Sequence, residues 1–261
     1  MPKSRRPAND ALLCEHCGYD LAGLTRNDNC PECGKPIAES LPENRTGSAW
    51  QRGEDGAWRE TAWSVTRRPV RVWGTVRNIG DRSTQLTLMS CFVAGAAITP
   101  FFAVTAMCVG LLRFGFDAVL PLRLGTIVGG LLLWIVTTLS GAFVFWVLTS
   151  IETAGISHFG KRRGWRTDFV LANVICGHAS VMWVYAGALG GIGLGLRAPL
   201  TLGLPWLAMG GFLLGMLVFE TWVYLGFRAM RYANPPGAER HLRDHAGEAN
   251  ISTEPDSPRR M

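Results

Sequence analysis

Four cysteines near the amino terminus carry the chemistry most readily read from this chain: Cys14-x-x-Cys17 and Cys30-x-x-Cys33. A CxxC pair on a tight turn aims two thiolates at one point, and two such pairs complete a tetrahedral set for an ion such as Zn2+. Gly18 and Gly34 follow the second cysteine of each pair, where a left-handed backbone conformation serves the turn. Pro31 stiffens the second turn. So short a stretch has almost no core of its own, which makes metal and fold inseparable. Four thiolates fill the coordination sphere and leave no position for a reacting water, and His16 between the first pair is a bystander. The expected site is a structural Zn2+ ribbon over residues 12–36 in a reducing compartment, not a catalytic or redox centre.

The elements that must carry this head are of another kind. Residues 86–227 hold four long apolar runs, 86–112, 125–149, 169–196 and 202–227, and each meets the roughly 20 residues needed to cross a hydrocarbon core. The expected fold class is an all-α polytopic membrane bundle of four transmembrane helices behind a small N-terminal zinc ribbon. Pro100 should kink the first span. Residues 37–56 are polar, contain Pro, Gly and Ser, and lack periodicity, which reads as a linker. Over 57–82, Trp58, Ala62, Val65, Pro69, Val72, Val76 and Ile79 recur at helical steps. That predicts two short amphipathic juxtamembrane helices, near 57–66 and 69–80, with Trp63 and Trp73 flanking the apolar face at a headgroup boundary. The alternative is that this face packs on the spans. Residues 232–261 read as a disordered tail.

A net charge of +6 invites a nucleic-acid reading, and its placement argues against one. Within the ribbon Arg26 and Lys35 face Glu15, Asp20, Asp28 and Glu32. The arginines cluster beside the apolar runs, where the lipid bilayer is the nearer partner. Arg67, Arg68, Arg71, Arg77 and Arg82 precede the first span, Lys161, Arg162, Arg163 and Arg166 separate the second from the third, and Arg228 and Arg231 follow the fourth. The intervening loops hold only Arg113, Arg123 and Arg197. By the positive-inside rule both termini are cytoplasmic, in a multi-pass protein of a bacterial inner membrane. No apolar core precedes Cys14, so the start is not read as a secretory signal.

Ionisable groups at membrane depth are functional candidates. His178 lies about 15 Å into the third run and Glu220 about 12 Å into the fourth, from the same side. The matching depths predict a His178–Glu220 hydrogen bond that fixes helix register; lining a transport path is the rival role. Gly187, Gly191 and Gly195, with Gly211 and Gly215, recur every fourth residue and let helix backbones meet closely, and helix–helix oligomerisation is a further expected association. Cys91, Cys108 and Cys176 sit singly in apolar runs as small hydrophobes. No nucleophilic triad, HExxH motif or catalytic carboxylate pair is present, so the chain is not expected to be an enzyme.

CGYDLAGL…CPECG resembles the short amino-terminal ribbons of many bacterial membrane proteins. The stretch from Trp63 to Phe227 resembles the Yip1-type integral membrane domain, in AWSVTRRPVRVW, in ISHFGKRRGWRTDFVLANVICGHASVMWV and in the Gly-rich region that follows. That resemblance implies a protein of membrane organisation or trafficking that acts through other proteins, and it supplies no catalytic residues. The family is usually predicted with five spans, against four here. The function expected is a non-enzymatic membrane protein whose zinc ribbon is an interaction head for a protein partner. The rivals are a small transporter or channel using His178 and Glu220, and a membrane-tethered regulator.

Overall fold

The computed structural model describes residues 10–114, 124–200 and 206–242, and within them every regular element is helical apart from two isolated β-bridges in the head. Three short helices precede the spans: α1 (Ala49–Arg52), α2 (Ala57–Arg67) and α3 (Pro69–Thr75). Five more follow: α4 (Ser83–Phe114), α5 (Leu124–Arg162), α6 (Phe169–Ala179), α7 (Trp183–Leu200) and α8 (Trp206–Met230). By length and hydropathy four stretches are able to cross a membrane: Ser83–Leu112, Ile127–Arg162, Phe169–Leu196 and Trp206–Met230. The four apolar runs of the sequence are these four helical stretches.

Local chemistry explains the short helices. Ser48 and Gln51 form a reciprocal capping box at the start of α1, and Gly53 at φ +72° ends it. Pro69 opens α3 as its first residue, where the missing N–H costs nothing. The periodicity predicts that helix to residue 80, yet it stops at Thr75. The reason is tertiary: Arg45 donates to the carbonyls of Trp73 and Val76, at 2.9 Å each, and so satisfies the last turn.

The third span is the interior one. Of its most apolar stretch 72% is buried, against 11% for the first two spans and 17% for the fourth. It is also broken, because a 3-10 turn over Ser180–Met182 separates α6 from α7. Helix α6 is sheathed by protein, packing against α4, α5 and α8. Only α7, 18 residues or roughly 27 Å long, is left to match a hydrocarbon core of about 30 Å. Trp183 at its start stacks on Phe219 at 4.2 Å and on Phe145 at 5.0 Å, and its indole N–H donates to Thr149 at 2.8 Å. The outer face of α5, including Leu132, Val136, Leu139 and Phe143, is exposed, as a lipid-facing surface must be.

The glycine steps are occupied within the chain. A Cβ on Gly187 or Gly191 would strike the carbonyl of Ala94 or Ile98 on α4, and one on Gly195 would strike Thr105. On α8, Gly215 meets Ala186 in the same way. These glycines therefore let helices of one chain meet closely, as their spacing predicts. We expect Gly191→Ala to lower stability by roughly 1–3 kcal/mol through overpacking. Gly190→Ala, whose Cβ meets nothing within 4 Å, is the matched control in thermal unfolding.

Three further expectations change. Residues 37–56 are not a loose linker: they contain two 3-10 turns and α1, with Leu41, Arg45 and Ala49 buried. Residues 232–242 are folded, with Ala233, Asn234 and Ala238 buried, and the remainder of the expected disordered tail, 243–261, lies outside the described residues. Trp73 is fully buried rather than at a lipid boundary, and Trp63 is 54% exposed. The amphipathic face of α2 and α3 packs on the spans through Val65, Val72, Trp73 and Val76.

Candidate metal centre

The two CxxC turns are near copies of each other. In the first, Gly18 N–H donates to Cys14 C=O and Cys14 N–H to Tyr19 C=O, both at 2.8 Å. In the second, Gly34 N–H donates to Cys30 C=O at 2.9 Å and Cys30 N–H to Lys35 C=O at 2.8 Å. Gly18 and Gly34 have φ of +85° and +70°, as the sequence required. A bridge from Leu13 to Asp20 closes the first turn and one from Asn29 to Pro36 the second.

The turns bring the four thiols together, with all Sγ atoms within 4.8 Å of one another. Cys14 and Cys33 stand 3.5 Å apart, and Cys17 and Cys30 3.6 Å. A tetrahedral ion with metal–sulfur bonds of about 2.3 Å has an edge of about 3.8 Å, so the cluster could hold a metal ion and is too open for a disulfide. Burial pushes the Cys17 thiol up. Burial also opposes ionisation of Cys30, but the backbone N–H groups of Cys33 and Glu32 and the neighbouring thiols outweigh it and bring Cys30 down to about 7. Leu12, Leu21, Ile37, Leu41 and Ala238 form the small core beneath, and Ala238 comes from beyond α8.

The two turns differ in what they face. A Cβ on Gly18 would lie 2.6 Å from the Tyr232 ring, whereas one on Gly34 would meet nothing. The first turn is docked on the membrane domain and the second faces outward. Glu15, inside the first turn, is gripped by Arg45 through a fork of 3.0 Å from Nε and 2.7 Å from Nη2. The same guanidinium holds the end of α3. Asn234 completes the clasp. Its Oδ1 accepts from Leu13 N–H at 2.8 Å and Arg166 Nη1 at 2.7 Å. Its Nδ2 donates at 2.7 Å each to the carbonyls of Leu13 and Ser40, so all four amide positions are used. Arg166 also donates to the Ala11 carbonyl. Burial lowers the Arg166 guanidinium to about 10, still charged at neutral pH, with Asp168, Asp20, Asp10 and Glu15 opposing the shift.

His178 and Glu220 are not brought together. His178 is fully buried, with Nδ1 donating to its own helix at Val174 C=O and Nε2 accepting from Ser48 Oγ, both at 2.8 Å. Both ring nitrogens are thereby committed, and the predicted His178–Glu220 hydrogen bond is corrected. The sequence assigned His178 to membrane depth because α6 is apolar, but α6 is apolar because protein surrounds it. Glu220 instead lines a cavity of about 430 Å³ between α5 and α8, with Glu152, Arg163 and Tyr224 among its walls. Ser48→Ala should cost about 1–2 kcal/mol in thermal unfolding, since it removes the α1 cap and the partner of a buried imidazole. Glu220→Gln should leave that stability unchanged.

Sequence reasoning missed Glu15, Arg45, Arg166 and Asn234. Only the Ser48-x-x-Gln51 capping box left a readable signal. No family model, curated protein or solved structure matches the chain.

Proposed function

We propose that this is a non-enzymatic multi-pass protein of a bacterial inner membrane, both termini cytoplasmic, in which Zn2+ holds the N-terminal ribbon as a clasp and an interaction head. The observation that carries this reading is the position of Glu15: it belongs to a cysteine turn and is bound by Arg45, which in turn holds the end of α3. Metal at the four thiolates thus fixes the turn that grips the membrane domain. Four thiolates complete a tetrahedron, which suits a structural ion and supports the non-enzymatic reading. Pro31, Glu32 and Lys35 on the outward turn are exposed and offer the surface for a protein partner. A transport path through His178 and Glu220 is set aside, because His178 is bound to Ser48 and Val174.

Hydrogen exchange with and without a strong chelator tests the clasp. The reading expects faster exchange at residues 73–78 and 231–236 as well as in the ribbon when metal is withdrawn. Acceleration confined to residues 12–36 would show that the head merely rests on the bundle.

A further inference from the structure

The elbow between α2 and α3 carries three arginines, Arg67, Arg68 and Arg71, with Arg59 further back in the first turn of α2; all four are exposed and none is in a salt bridge with a described carboxylate. Exposed apolar groups stand among them: Trp63 at 54% and Val70 at 76%. The Arg67 guanidinium lies 3.7 Å over the Trp63 ring, forming a plate that is apolar on one side and cationic on the other. Behind the plate runs a groove of about 460 Å³ between α2 and the start of α7, lined by Trp58, Arg59 and Trp63 on one wall and Val181, Val184 and Tyr185 on the other. Glu60, also in the groove wall, accepts from Ser64 Oγ.

The depth of this groove matters. Its far wall is formed where the 3-10 turn over Ser180–Met182 passes into α7, the helix whose length matches a hydrocarbon core. Aromatic rings with polar edges gather at the headgroup boundary in membrane proteins, and the exposed Trp63 and Tyr185 stand together in this groove. An occupant must therefore be apolar where it meets Val181 and Val184 and anionic where it meets the arginines. An anionic phospholipid of the leaflet on the head side meets both demands, with acyl chain in the groove and phosphate at the elbow. We infer that the α2–α7 groove with the Arg67, Arg68 and Arg71 rim is a binding site for an anionic phospholipid.

The test uses the full chain in phosphatidylcholine nanodiscs carrying photoactivatable phosphatidylglycerol, with crosslinks mapped by peptide. Labelling is expected to concentrate on residues 58–71 and 181–185. It should weaken about fivefold for each arginine replaced by glutamine among Arg67, Arg68 and Arg71. Those side chains are exposed, so unchanged thermal unfolding will show that the variants remain folded. Soluble glycerol phosphate should not displace the label, and displacement would move the site from bilayer lipid to a free anion and overturn the inference. Equal labelling by photoactivatable phosphatidylcholine, even labelling over all spans, or labelling unaffected by R67Q/R68Q/R71Q would each overturn it too.

Discussion

Replacing Cys14 and Cys17 together with serine is expected to abolish metal binding and unfold the ribbon while leaving the helical bundle in place. Among the described residues the head's core consists of a few side chains such as Leu12, Leu21, Ile37 and Leu41 around the four thiols. Structural zinc in small ribbons contributes on the order of 10–16 kcal/mol of apparent binding free energy at neutral pH, far beyond what so small a core supplies. Elemental analysis should fall from one metal per chain to none. Amide protection over residues 12–41 should vanish, while far-ultraviolet circular dichroism keeps most of its helical signal from α4 to α8. A variant that retains one equivalent of metal, or a protected ribbon without it, would sink the assignment.

Arg45→Ala is expected to be the most damaging substitution outside the cysteines. The Arg45 side chain is 5% exposed and that of Glu15 19%, so truncation leaves a largely buried carboxylate without its counter-charge, held by the Asn234 N–H at 3.2 Å. It also orphans the carbonyls of Trp73 and Val76 at the end of α3. Breaking one side of a buried pair costs about 3–5 kcal/mol, much of it from the group left behind. The loss should appear in thermal unfolding, with metal content unchanged because the ligands are untouched. Arg45→Lys should rescue only part of it, since an ammonium cannot reproduce the fork and reach α3 together. A double-mutant cycle with Glu15→Ala should give a coupling of roughly 0.5–3 kcal/mol, and additivity would mean the two residues act separately.

What sequence reasoning could and could not reach follows a physical division. The cysteine turns are local: spacing, a glycine at each positive-φ position and backbone hydrogen bonds within five residues set their shape. The spans are almost as local, because twenty apolar residues in a row satisfy their own backbone and need only lipid. The helices at 57–67 and 69–75 were legible for the same reason, through periodicity and the proline between them. By contrast, residues 37–56 and 232–242 carry turn-forming residues that look unstructured until their partners are present. Leu13 and Asn234 are 221 residues apart, and no pattern in either segment announces the other.

The same division applies to His178. An apolar helix with one histidine reads identically whether lipid or protein covers it, and the choice between them depends on where Ser48 and Trp73 arrive in space. By itself, then, the sequence determined the thiolate set, four membrane-length helices and the amphipathic pair before them, since each rests on short-range geometry or on continuous apolarity. Tertiary structure alone decided that the ribbon is clasped rather than tethered, that the third span is half sheathed by protein and that Glu220 stands apart from His178. Those outcomes depend on hydrogen bonds between residues far apart in the chain, whose strength comes from a burial that exists only once the segments have met.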